Sequence, residues 1–232
     1  MTPLALRQGR LAKRLSQTQA AQRLGVSQPY LALLESGRRR LTADFTRKAV
    51  RLYGLSPAAL PHSSPPDRTH DADTPGQLVR DLAALGYPGF AYLRSRHGKL
   101  KNPANVLLTA LAQSDLEARL VEALPWLLLK YADMDRAWLV REAKLRDLQN
   151  RLGFVASLAR RLAEMANDQT RAHTLRALED ELDASRLERE DTFKASVAEA
   201  ERRWLEQHRP EEAKRWKMLT DWTAETLRYA TV

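Results

Sequence analysis

The sequence predicts an all-α protein: a small N-terminal domain of five short helices, followed by a C-terminal bundle of long helices. Three observations carry this. Between Ser16 and Gly37 two short helical patterns meet at a glycine. From Trp126 to Arg209 there is no proline and a single glycine, Gly153, while apolar residues recur every three or four positions. The second part also lacks the alternating strands and glycine turns of a sheet-based fold.

The first predicted helix covers residues 4–15, with Leu4, Leu11 and Leu15 as its buried stripe and Gly9 as a weak spot. Ser16 caps the second helix, and Gln19, three positions on, completes a capping box. Ala20, Ala21 and Leu24 form its apolar face. Gly25 ends it, because the next residue must turn left-handed at no steric cost. Val26 plugs the corner. Ser27 caps the third helix, in whose first turn Pro29 is tolerated. Leu31 and Leu34 face inward, while Gln28, Ala32, Leu33 and Ser36 face outward. An arginine-rich loop, Gly37 to Leu41, leads to a fourth helix. It is capped by Thr42, buries Phe45, Ala49 and Leu52, and stops at Gly54. Ser56 and Pro57 open a short fifth helix, with Leu55 and Leu60 closing the core.

His62 to Pro75 reads as a polar, proline-rich tether. The domains are therefore 1–61, a linker 62–75 and a helical body 76–232. The body begins with Thr74 as cap, Gln77 behind it, and Leu78, Leu82 and Leu85 on one face. Residues 86–103 are irregular, with a short strand or hairpin expected at Gly89 to Leu93. Asn102 and Pro103 start a helix through Val106, Leu107, Ala110 and Leu111. Ser114 and Glu117 predict another capping box, and Pro125 is expected to open the stretch WLLLKYA. A long helix follows through Trp138, Leu148 and Leu162, pausing near Asn167 and Asp168. A second runs from Leu175 to Trp204, its charged middle, DASRLEREDTFK, projecting into solvent or lying on another chain. Arg209 and Pro210 break it, and a last helix carries Trp216, Leu219, Trp222 and Leu227.

The charge is uneven. The first sixty residues hold eleven Lys and Arg against Glu35 and Asp44, which accounts for the whole formal charge of +9 and leaves the remainder neutral. Such a footprint under a helix–turn–helix pattern points to nucleic acid. There is no cysteine, which excludes disulfide and thiolate chemistry. No apolar run is long enough to span a membrane, and the first residues lack a signal peptide's apolar core, so a cytoplasmic location is expected.

No catalytic signature, cofactor motif or metal-ligand spacing is found, and the protein is expected not to be an enzyme. His62 and His70 lack helical i, i+4 spacing or cysteine companions. Glu179 and Asp183 share a helical face with Arg176 and Arg186, the pattern of ion pairs on a solvated helix. Trp126, Trp138 and Trp204 are candidates for a partner-binding face.

Leu15, Gln17, Ala21, Leu24, Gly25, Val26, Ser27, Leu31, Leu34, Glu35 and Gly37 fall at the spacings of the lambda-repressor-like, Xre-type helix-turn-helix family, which this stretch resembles. The resemblance implies the five-helix fold and a set of roles. Gln17 would bond a phosphate. Gln28, Ala32 and Leu33 would lie over base edges. Arg10 would pair with Glu35 and touch the DNA backbone, and Arg38 and Arg40 would hold phosphates. Ser27, Pro29, Ser36 and Arg39 complete the expected surface. Pro29 departs from the family, which often has a polar base-reading residue there. The implied function is a repressor that binds an operator in double-stranded DNA as a homodimer. It is read further as the antitoxin and autoregulator of a toxin–antitoxin module, with a cognate toxin as partner. The alternative is a ligand-responsive repressor with a small-molecule pocket at Tyr87, Phe90 and Tyr92.

Overall fold

The computed structural model describes residues 1–63, 75–93 and 100–227. The chain forms two compact units. The first comprises Met1–Ser63 with Leu100–Asn102, and the second the rest. The expected cap Thr74, most of the expected linker including His70, and residues 94–99 of the irregular segment lie outside the described residues.

In the first unit, α1 (Pro3–Ala12), α2 (Gln17–Leu24), α3 (Gln28–Glu35) and α4 (Ala43–Tyr53) enclose one core. Their ends follow the local chemistry. Thr2, Ser16, Ser27 and Thr42 each accept a backbone N–H three residues on, Ser16 within a complete capping box. Gly25 and Gly54 end α2 and α4 in the left-handed region, at φ 71° and 66°. Leu6, Leu15, Ala20, Ala21, Leu24, Leu31, Leu34, Phe45, Ala49 and Tyr53 form the core, with Val26 and Tyr30 packed against it.

Two expectations for this unit need correction. Leu4 and Leu11 are 63 % and 54 % exposed, and α1 instead buries Leu6, Gly9 and Arg10. Gly9 is there for close approach, since a Cβ would come within 2.9 Å of Leu55 and 3.1 Å of Tyr53. The fifth helix is only a 3₁₀ turn, Pro57–Ala59. Its carbonyl side is completed from far along the chain, where the Asn102 amide donates to Ala58 O at 3.2 Å and to Leu60 O at 2.7 Å.

The second unit contains α5 (Pro75–Leu85), a 3₁₀ turn (Pro88–Leu93), α6 (Pro103–Leu111), α7 (Ala118–Lys130), α8 (Arg136–Leu145), α9 (Gln149–Met165), α10 (Gln169–Asp183), α11 (Glu199–His208), α12 (Glu211–Arg215) and a last 3₁₀ turn (Ala224–Thr226). The stretch expected as a strand is thus helical. Pro125 lies inside α7 rather than opening a helix, and α7 starts at Ala118 without the expected Ser114–Glu117 box.

The long helices are shorter than their periodicity suggests. Asp147 interrupts the first at φ 55°, and Asn167 makes the expected pause at φ 58°; both residue types tolerate the left-handed region. α9 is the axis of this unit, with thirteen of its seventeen residues buried, packed against α7, α8, α10 and α12. Gly153 lies under the indole of Trp216, where any Cβ would come within 2.3 Å of the ring. The Trp216 N–H donates to Ser157 Oγ at 2.7 Å.

The charged segment after α10 is not a helix and does not project. Three consecutive side chains at the start of α9 capture its backbone. Gln149 donates to Ser185 O, and Asn150 bonds both the N–H and the carbonyl of Leu187 at 2.9 Å. All five N–H groups of Arg151 find acceptors, in Asp191 Oδ1 (twice), Leu111 O, Gln113 O and Thr192 O. Asp191 then pairs with residues 217–219 in a parallel bridge. Backbone groups satisfied in this way have no need of i→i−4 partners. The last expected helix shrinks accordingly to five residues, and Trp216 and Leu219 lie beyond its end.

Candidate nucleic-acid interface

The interface expected from the sequence is built from the N-termini of α2 and α3 and the loop after α3. Ser27 caps α3, placing Gln28 at its first position and Pro29 at its second, where a missing N–H costs no helical bond. Gln28 and Pro29 are exposed, Ala32 and Leu33 half-buried, and Ser36 exposed with its hydroxyl donating to Leu33 O. Arg38, Arg39 and Arg40 are all exposed. Gly37 before them has φ 75°, which turns the chain sharply off α3. Tyr30, whose direction the sequence leaves open, packs on the core.

Behind this edge lies a buried ion pair. Arg10 Nε and Nη2 donate to the two oxygens of Glu35 at 2.7 and 2.9 Å, and Nη1 donates to Leu15 O at 2.9 Å. Both side chains are below 10 % exposed. Arg10 thus ties α1 to α3 from within. The expected contact of Arg10 with a DNA backbone is corrected, because its guanidinium is buried and turned to Glu35. Burial works to raise the Glu35 pKa. Hydrogen bonds from Arg10 and Gln17, and the charge of Arg10, outweigh it and hold the carboxyl below its ordinary range.

The ion pair also sets the orientation of two amides, half-buried Gln17 and exposed Gln28. A carboxylate can only accept, so Gln17 must turn its NH2 to Glu35, which it does at 3.0 Å. That leaves Gln17 Oε1 to accept from Gln28 Nε2 at 2.8 Å. Gln28 in turn keeps its own Oε1 and a second N–H for an outside partner. One acceptor beside one donor is what an adenine edge takes bidentately in the major groove. The order Arg10, Glu35, Gln17, Gln28 is therefore a relay in which a buried charge fixes the polarity of an exposed side chain. Sequence reasoning named Arg10, Gln17, Gln28 and Glu35 separately. It missed the relay, whose members span eighteen and eleven residues of separation and meet only in the fold.

The other sequence candidates do not form one site. Trp126 is 3 % exposed and packs edge-on against Tyr87 and Tyr131, so its placement on a partner-binding surface is corrected: it belongs to the core. Trp138 is half-buried on α8. Trp204 is 48 % exposed on α11, stacked on the His208 imidazole at 4.3 Å. Of the aromatics expected to line a small-molecule pocket, Tyr87 and Phe90 are buried edge-on against each other, and Tyr92 is 74 % exposed. Glu179 is not solvated as expected but 1 % exposed, accepting from Ser157 and Arg160. Among the described residues no cluster of His, Asp or Glu could hold a metal ion, and no helix is long and apolar enough to cross a membrane.

Residues 4–62 match the family model of a helix-turn-helix domain, a span that takes in α1 to α4 and the following 3₁₀ turn. No curated protein and no solved structure matches the chain.

Proposed function

We propose, from the premise that residues 4–62 are a helix-turn-helix domain, that this protein is a sequence-specific DNA-binding regulator that acts as a repressor. The observation that carries the reading is the relay ending in Gln28. It offers an oriented amide at the N-terminus of α3, beside the three exposed arginines 38–40. In this reading Gln28, with Ala32 and Leu33 beside it, meets base edges. Gln17, Ser27 and Ser36 line the groove wall, and Arg38, Arg39 and Arg40 hold phosphates. The protein carries out no catalysis and works in the cytoplasm. It binds as a homodimer, because one small module buries too little DNA for tight specific binding.

A finer proposal is that it is the antitoxin of a toxin–antitoxin pair, its helical body holding a cognate toxin. What supports this is the joining of such a domain to a helical body of different composition and zero net charge. Co-expression with the product of the neighbouring gene should yield a stable heteromer, and separate elution of the two would reject it. The alternative, a ligand-responsive repressor, would seat its small molecule at Tyr87, Phe90 and Tyr92, of which Tyr92 alone is well exposed.

The test of DNA binding is fluorescence anisotropy of the full-length chain with duplex from its own upstream region and with a scrambled duplex. Preference for the first at moderate salt is expected, and equal affinity would reject the reading. Removing Arg38 and Arg40 should weaken both complexes and flatten the salt dependence by ~0.9 in log–log slope per lost phosphate contact.

A further inference from the structure

The cationic charge of the first unit is not confined to the α3 edge. Arg23 near the end of α2, and Lys48 and Arg51 on α4, line a shallow groove together with Gln22, Leu24, Gly25 and Leu52. All three cations are exposed, and among the described residues none takes part in an ion pair. Lys48 and Arg51 are three residues apart and so share one face of α4.

This groove is separate from the reading edge. α2 packs against both α3 and α4, yet no residue of α3 lines the groove. Along α2, Arg23 follows Gln17 by six residues, which places it roughly 9 Å further along the axis and about 240° around it. A duplex seated on Gln17 and Gln28 would leave Arg23 on another side of the helix.

The lining also indicates what kind of partner fits. The floor is apolar: Leu24 is buried, and half-buried Leu52 packs onto the core cluster. The outer surface of a duplex offers phosphates and sugars, which gain nothing from such a floor. An acidic protein segment bearing a large apolar side chain matches both parts, with its carboxylates on the three cations and its apolar group over Leu52.

We propose that the α2–α4 groove is a docking site for an acidic, leucine-bearing segment of a partner protein, which can be occupied while DNA is held on α3. The location of the groove rests on the structure alone. Only simultaneous occupancy relies on the DNA-binding reading.

The probe is a short labelled peptide of glutamates flanking a central pair of leucines, titrated against the full-length chain by anisotropy at low salt. Binding is expected without DNA, and it should persist when the chain is saturated with duplex. R23E/K48E/R51E should weaken it by about tenfold or more, from three ion pairs at the strong end of the exposed range. The neutral variant R23Q/K48Q/R51Q should give a smaller loss, and its thermal melt checks that the fold is intact. A leucine-free peptide should bind several-fold more weakly, and Arg38→Glu with Arg40→Glu should have the smaller effect of the two charge reversals.

Failure of the wild-type chain to bind the peptide would overturn the proposal. So would unchanged binding by the glutamine variant, or a loss in the Arg38/Arg40 variant as large as in the groove variant. One-for-one displacement of peptide by duplex, or a second equivalent of duplex abolished by the groove variant, would assign the surface to nucleic acid instead. If the chain shows no preference for its upstream duplex, the regulator reading fails, while the DNA-free peptide titration still decides the groove.

Discussion

Among the described residues, each unit buries one arginine beside a carboxylate, and the two arginines serve different ends. Arg10 faces both oxygens of Glu35, and the pair passes its polarity outward through Gln17 to the exposed Gln28. Arg151 faces one oxygen of Asp191 and three carbonyls, all within the second unit, and holds an irregular segment in place. The first builds a surface, whereas the second replaces secondary structure. A buried ion pair is weak grounds for claiming net stability, because desolvation offsets most of the Coulomb gain. It is good grounds for claiming a defined geometry, and the difference here lies in what each geometry serves.

The contrast can be broken at either arginine. Arg151→Met should have the largest effect, costing about 3–5 kcal/mol, because it removes the ion-pair partner of the half-buried Asp191 carboxylate and the donors to three carbonyls together. Chemical denaturation should show the loss in the transition of the second unit, with DNA affinity of the remaining folded protein unchanged. Arg10→Met should cost about 3 kcal/mol in the first unit. It should also reduce discrimination between upstream and scrambled duplex, because Glu35 no longer holds Gln17 in register.

The Glu35 pair has a pH signature with a definite sign. Its pKa is held below the ordinary 4.5, so its contribution is fully present above that value and is lost as pH falls through the lowered one. Glu35→Gln should therefore flatten the acid limb of the first unit's stability curve, measured as denaturation midpoint against pH. Equal acid limbs in wild type and variant would show that the pair contributes no net linkage.

Gln28→Ala sharpens the comparison at the exposed end of the relay. It should lower discrimination between operator and random duplex by ~1–3 kcal/mol and leave non-specific binding and folding stability nearly unchanged. Equal losses on both duplexes would remove Gln28 as a base reader.

The smallest effect belongs to Tyr53, next to the Arg10–Glu35 pair. Its hydroxyl is buried without a hydrogen-bond partner. Burial, and then the charge of Glu35, push its pKa up to about 12. Tyr53→Phe should be neutral or slightly stabilising at pH 7, since it removes an unmet polar group. A group raised on folding favours the folded state below its ordinary value, here 10, and loses that contribution as pH rises through about 12. The variant should accordingly show a shallower alkaline limb, checked by the same denaturation series.

Much of the first unit was legible in the sequence, because its signals are local. A serine three residues before a glutamine, a glycine after the last apolar position and a proline in a first turn act over one helical turn, and Ser16, Gly25 and Pro29 behave accordingly. The burial of α1 was less legible. Leu4 and Leu11 fit a helical stripe, but so do Leu6 and Arg10, and only the partners decide between them: Gly9 against Tyr53, and Arg10 against Glu35. In the second unit, periodicity from Trp138 to Leu162 identified helix but not its interruption at Asp147. A left-handed aspartate leaves no mark in an apolar pattern.

The sequence by itself determined the helical class, the caps and stops of α2 to α4 and the concentration of charge in the first sixty residues. Those properties depend on composition or on neighbours within a turn of the chain. Tertiary structure alone decided that Glu35 orients Gln28 through Gln17, that Trp126 is core, and that the charged run after Asp183 is folded back by Gln149, Asn150 and Arg151. The reason is common to all three: a buried polar or aromatic group must find its partner wherever the fold brings one, and separation along the chain does not say where that is.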